Sequence, residues 1–160
     1  MKTAVIIGHP LNSLAEYLSN KDEYGKVLTT KDVSILNIKV DEIYNLDKFT
    51  NLSDWFSHLG DAKFLQCGTF EMFGEETPND DCIFHPKTID GIRDVSNFWF
   101  CKNYRNAFGI KIYNAIMGPG SDNRALWCTM QYPEPQDFVL PSDKARKLLS
   151  WFPKAPSPFE

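Results

Sequence analysis

Thr3-Ala4-Val5-Ile6-Ile7-Gly8-His9-Pro10-Leu11-Asn12-Ser13-Leu14-Ala15-Glu16-Tyr17-Leu18 decides the fold. Residues 3–7 are apolar, rich in β-branched side chains and closed by a Gly-containing turn, the mark of a buried strand. Leu11, Leu14, Ala15 and Leu18 then recur at i, i+3, i+4 and i+7, one face of a helix. Residues 26–29 follow as a second strand, so the chain opens as β-α-β.

Outward from this unit the alternation continues. Segments 42–46 and 62–69 read as strands, separated by a short amphipathic helix on Leu52, Trp55, Phe56 and Leu59, with Gly60 at its stop. From Gly74 to Pro86 the residues Pro78, Asn79, Asp80 and Asp81 predict a loop. Residues 88–108 are the longest expected helix, on an apolar face of Ile89, Ile92, Val95 and Trp99, with Phe98 and Tyr104 beside it. Gly109 ends that helix and 110–116 supplies a strand. Further on, 122–131 reads as helical, 137–140 as a short strand, and Ser142 as the cap of a last helix carrying Ala145, Leu148, Leu149 and Phe152. One domain over 1–152 is therefore expected, with a Pro-rich tail over 153–160 that cannot propagate the helix.

Alternating strands and helices imply an α/β fold with a parallel sheet covered on both faces. A parallel crossover takes about a dozen residues, and the gap between residues 29 and 33 is far shorter. Segment 33–38 is thus a helical turn or irregular, and the sheet lacks an edge strand.

Composition bounds the function. The chain has 160 residues, 42% hydrophobic and 24% charged, with twelve Phe and four Trp, which suffices for a single packed core. A net charge of −4 argues against a nucleic-acid surface. No apolar run approaches the ~18 residues of a membrane span. The start resembles a signal peptide superficially, but Gly8-His9-Pro10 interrupts the apolar run, so a strand is read there and a cytoplasmic chain is expected. Cys67, Cys82, Cys101 and Cys128 show no metal-ligand spacing, and Cys82 with His85 makes too few ligands for zinc. Reduced thiols and no metal are expected. His9 and His85 read as turn residues.

Four phrases in order carry a resemblance. Asp41-Glu42-Ile43-Tyr44-Asn45-Leu46, Gln66-Cys67-Gly68-Thr69-Phe70-Glu71-Met72-Phe73-Gly74, Asn103-Tyr104-Arg105-Asn106-Ala107-Phe108-Gly109, and Ala125-Leu126-Trp127 with Glu134-Pro135-Gln136-Asp137-Phe138-Val139 resemble segments of GDP-mannose 4,6-dehydratases. That family belongs to the extended short-chain dehydrogenases/reductases. The resemblance implies a reduced Rossmann-type, doubly wound sheet without most of the C-terminal substrate domain, which is absent between Asn123 and Arg124.

It also implies an NADP-dependent elimination on a nucleotide-sugar, using a Thr, a Glu, and a Tyr with a Lys one helical turn later. The Tyr works as a base because the neighbouring ammonium stabilises its phenolate. Thr69 matches the Thr and Glu71 the Glu. The Tyr and Lys positions fall on Asp90 and Asp94, which are read as a solvated helix face from which the cation is gone. Gly8 is a remnant of the cofactor loop; the later glycines are missing, Pro10 removes a backbone donor, and the Arg-containing segment for the 2′-phosphate has no counterpart. Gly118-Pro119-Gly120 replaces another family stretch.

The expected function is that of a catalytically incompetent relative acting as a binding or interaction protein. The alternative is an NAD(P)-dependent dehydratase/epimerase-like enzyme on a nucleotide-sugar, with Glu71 and Asp90 or Asp94 as acid and base. In the family the helix equivalent to 88–108 packs against its twin, so a homodimer through 88–108, or pairing with a full-length dehydratase, is expected around Phe98-Trp99-Phe100.

Overall fold

The computed structural model describes residues 1–8, 12–74 and 84–117. Its strands are β1 (Lys2–Ile7), β2 (Tyr24–Thr29), β3 (Glu42–Asn45), β4 (Lys63–Thr69) and β5 (Ile112–Met117); its α-helices are α1 (Asn12–Ser19), α2 (Leu52–Ser57) and α3 (Ile89–Phe108). Every pairing is parallel and the order is β2-β1-β3-β4-β5. β1 lies between β2 and β3, and Ala4, Val5, Ile6 and Ile7 have no exposed surface. This explains their unbroken apolar run, since a central parallel strand is covered on both faces.

The order is that of a Rossmann-type sheet without its outermost strand. Between β2 and β3 stands a 3-10 turn over Val33–Asn37, opened by Asp32, whose carboxylate accepts from the Ser34 amide at 2.9 Å. The expected helical turn is present, and among the described residues no strand lies outside β2. The chain reverses direction across the sheet between β1 and β3, the switch point where open α/β sheets form crevices at the carboxyl ends of their strands.

Alternate strand residues feed two cores. Ala4, Ile6, Tyr44 and Leu65 pack with Leu14 and Leu18 of α1, while Val5, Ile7, Ile43, Phe64 and Ile112 pack with Leu52, Trp55 and Phe56 of α2. α3 gives Phe98 to the first cluster and Cys101 to the second. The Thr88 hydroxyl caps its start by accepting from the Gly91 amide at 3.0 Å, and Gly109 closes it in the left-handed region at φ 65.

Two details differ from expectation. α2 ends at Ser57 with His58 as its cap, before Gly60 is reached, because the His58 amide already turns back to the Trp55 carbonyl at 3.2 Å. The buried stripe of α3 is Gly91, Asp94, Phe98 and Cys101, whereas Ile89, Ile92 and Trp99 of the expected core face are exposed. Close packing on the 3-10 turn over Phe70–Phe73 selects this face: a Cβ at Gly91 would overlap the Glu71 carbonyl. The predicted elements over 122–131, 137–140 and after Ser142, the tail, Gly118-Pro119-Gly120, Cys82 and Cys128 lie outside the described residues, as does most of the predicted loop over 74–86. Among the described residues no helix is long and apolar enough to cross a membrane.

Candidate functional site

Thr69 is the last residue of β4 and Glu71 sits in the 3-10 turn that follows. The backbone contact at Gly91 seats α3 on this turn and brings Asp94 to Thr69. The Thr69 hydroxyl donates to Asp94 Oδ2 at 2.6 Å, and the Thr69 amide donates to the same oxygen at 3.1 Å. Lys48, from the loop after β3, completes the cluster. Its Nζ lies 3.2 Å from Asp94 Oδ2 and 3.3 Å from Glu71 Oε2.

Asp94 is therefore not on a solvated face: it is 1% exposed, and only Asp90 stands in solvent. Nor is the cation lost, because Lys48 brings an ammonium from another element. Burial pushes the Asp94 carboxyl above its ordinary range, and the Thr69 hydroxyl and Lys48 offset only part of that. Burial alone would lower the Lys48 ammonium, yet the charge of Asp94 and then Glu71 hold it above its ordinary value. Three donors fall on Asp94 Oδ2, while buried Oδ1 has no hydrogen-bond partner. Such an oxygen carries a desolvation cost without compensation.

Lys48 escaped sequence reasoning because no matched phrase contains it. The spacing Gly91, Asp94, Phe98, Cys101 was the available signal: a carboxylate on a helix's buried stripe demands a cation from elsewhere. The loop carrying Lys48 is rooted on an amide row across the sheet. Asn45 donates to Gln66 Oε1 at 2.7 Å, and both side chains are buried, as is that of Asn114 next in register. Gly8, at φ 114, packs on the same loop; a Cβ there would stand 3.1 Å from the Asp47 nitrogen. His9, Pro10 and Leu11 lie outside the described residues.

A second buried carboxylate lies at the opposite, amino end of the sheet. Glu42 Oε1 pairs with Lys2 at 3.1 Å, and Oε2 accepts from the Tyr24 and Tyr44 hydroxyls at 2.5 and 2.9 Å. Burial, then Glu42, raises both phenols above their ordinary value. A cleft of about 500 Å³ opens beside it, walled by Leu36, Val40 and Leu59. Ligands of open α/β sheets bind at the other end, so the Thr69–Asp94–Lys48–Glu71 cluster is the candidate site.

No family model matches the chain. GDP-mannose 4,6 dehydratase 2 of Arabidopsis thaliana is 28% identical over 108 residues, covering 50% of this chain and 29% of that protein. GDP-mannose 4,6 dehydratase 1 of the same plant is 33% identical over 57 residues, 34% of this chain and 16% of that protein. Over these stretches the chain is similar to GDP-mannose 4,6-dehydratases. It spans less than a third of these relatives' length.

Among solved structures, UDP-glucuronic acid 4-epimerase from Bacillus cereus, in complex with NAD, superposes with a TM-score of 0.63 at 14% identity, over 72% of this chain and 56% of the epimerase. dTDP-glucose 4,6-dehydratase from Bacillus anthracis, also with NAD, gives 0.59 at 11% identity, over 72% of this chain and 54% of the dehydratase. The fold is thus that of the nicotinamide-dependent epimerases and dehydratases. That fold supports many chemistries, and activity must be argued from the site.

Proposed function

We propose that the chain is a catalytically incompetent relative of the nucleotide-sugar dehydratases that acts by binding rather than by turnover. The observation that supports this is the convergence of the Thr69 hydroxyl, the Thr69 amide and the Lys48 ammonium on one oxygen of Asp94. Groups that would hold a sugar hydroxyl or stabilise a phenolate are spent inside the protein.

The family resemblance brings a nicotinamide dinucleotide, NADP or NAD, as the cofactor to test. At its ribose end the described residues do not fit. The position for the ammonium is the buried carboxylate Asp94, the position for the phenol is Asp90, and the hydrogen bonds of Lys48 run to carboxylates.

Calorimetry with NADP, NAD and GDP-mannose, together with an assay for elimination of water from the sugar, tests the reading. No heat and no product are expected; turnover contradicts it.

The partner is a second copy of this chain, or a full-length dehydratase, seated on α3. Ile89, Ile92, Trp99 and Phe100 are exposed there, and they lie away from the buried stripe of Gly91, Asp94, Phe98 and Cys101. Cys67 and Cys101 are buried and in no disulfide, which supports a reducing, cytoplasmic setting.

A second reading is an altered enzyme using Glu71 and Asp94. It is favoured by their unlike surroundings, since burial raises the Asp94 carboxyl while the Glu71 side chain is 46% exposed. Product formation that disappears in Glu71→Gln would establish it.

A further inference from the structure

Segment 47–50 leaves the end of β3 and is gripped by one short stretch of α3. Lys48 Nζ meets Asp94 Oδ2 at 3.2 Å, Asn97 Nδ2 donates to the Lys48 carbonyl at 3.2 Å, and the Arg93 guanidinium stands 4.4 Å over the Phe49 ring. Residues 93, 94 and 97 fall within a single helical turn, so the three grips act on the same part of the helix.

The root of the segment is held separately. The Leu46 amide donates to the Ile7 carbonyl at 2.9 Å, and Asn45 Oδ1 accepts from the Asp47 amide and the Thr50 hydroxyl, each at 3.0 Å. Asn45 is itself fully buried and fixed to Gln66. Between root and grips, Phe49 remains 66% exposed, so no core packing holds the tip.

We propose that 47–50 is a strap, fastened to α3 by the Lys48–Asp94 ion pair, which closes the carboxyl edge of the sheet over Asp94 and opens locally when that pair is broken. The proposal rests on the reading that Thr69 and Lys48 are spent on Asp94, and it names the element that keeps them there. The strap springs from β3, one of the two strands at the switch point, where ligands of such sheets enter. Under it the Asp94 side chain has no exposed surface, while the Lys48 side chain that meets it is 21% exposed. Glu71 does not substitute as an anchor, because an ion pair to a half-exposed carboxylate contributes little.

Hydrogen exchange at the Phe49 amide tests the strap, since it donates to Asp47 Oδ1 within the segment, whereas the Asp47 amide is held at the root by Asn45 Oδ1. Asp94→Asn keeps an acceptor for Thr69 and leaves no buried charge, and Lys48→Met breaks the same pair from the other side. Exchange at the Phe49 amide is expected to accelerate by roughly tenfold in both variants, while the Asp47 amide, β1 and β4 keep wild-type protection. Unchanged exchange at the Phe49 amide overturns the strap. Equal acceleration throughout β1 and β4 overturns it too, because the pair would then brace the whole domain. Turnover of a nucleotide-sugar by the wild-type protein would instead overturn the incompetent reading, so the two proposals fail separately.

Discussion

Glu42 at the amino end of β3 and Asp94 in α3 are both buried carboxylates, but their oxygens are treated differently. Glu42 divides its partners, Lys2 on Oε1 and two tyrosine hydroxyls on Oε2, and so joins β1, β2 and β3. Asp94 takes all three donors on Oδ2 and none on Oδ1. A satisfied buried charge is a structural clamp, whereas a half-satisfied one is costly and persists where something other than stability placed it. The clamp sits at the end of the sheet that ligands avoid, and the costly group at the end they use.

The sharpest way to break this contrast is Glu42→Ala. It strands two buried phenols and should cost about 3–5 kcal/mol, the range for removing one member of a buried charged pair; urea denaturation measures it. A loss no larger than that of a surface substitution would erase the distinction between the two ends. Next comes Gly91→Ala, whose Cβ meets the Glu71 backbone. Overpacking of this kind costs about 1–3 kcal/mol, and it should also lengthen the Thr69–Asp94 contact, visible in a crystal structure.

Acidification separates the carboxylates further. Burial holds the Asp94 carboxyl above its ordinary value of 3.8, so the folded protein keeps this proton at pH values where the unfolded chain has released it. Asp94 therefore withdraws stability as pH rises through the window above 3.8 up to its folded value. Asp94→Asn should flatten that slope in urea midpoints measured across pH, with a change at neutrality within about 1 kcal/mol. Lys48 has the opposite signature: its contribution is complete below 10.5 and is lost as pH rises through its raised folded value.

The smallest effect is expected from Ile89→Glu with Ile92→Glu, two exposed side chains of α3. Stability should move by no more than about 0.5 kcal/mol, while sedimentation should report loss of self-association.

Much of the fold was legible because its signals are local. The run of residues 4–7, the turn at Gly8, and the caps Thr88 and Gly109 each declare an element boundary in a few neighbouring residues. The orientation of α3 was not legible in the same way. Apolar counting favoured Ile89, Ile92 and Trp99, but the buried stripe begins with a glycine and an aspartate, which carry no apolar signal. Thr69 and Glu71 were found through the matched phrase, and the structure does place them together beside Asp94. Lys48 was missed because its meeting with Asp94 depends on where two distant segments pack. The Glu42 clamp was missed for the same reason: Lys2, Tyr24 and Tyr44 converge on it only once three strands are in register.

In the proposed reading the ammonium that the resemblance places on the helix is supplied instead by Lys48, where Asp94 consumes it. A double-mutant cycle of Lys48→Met and Asp94→Asn, followed by urea denaturation at neutral pH, tests this most directly. A favourable coupling of about 1–3 kcal/mol between the two positions is predicted. Strictly additive losses would contradict it, leaving Lys48 free for some other ligand.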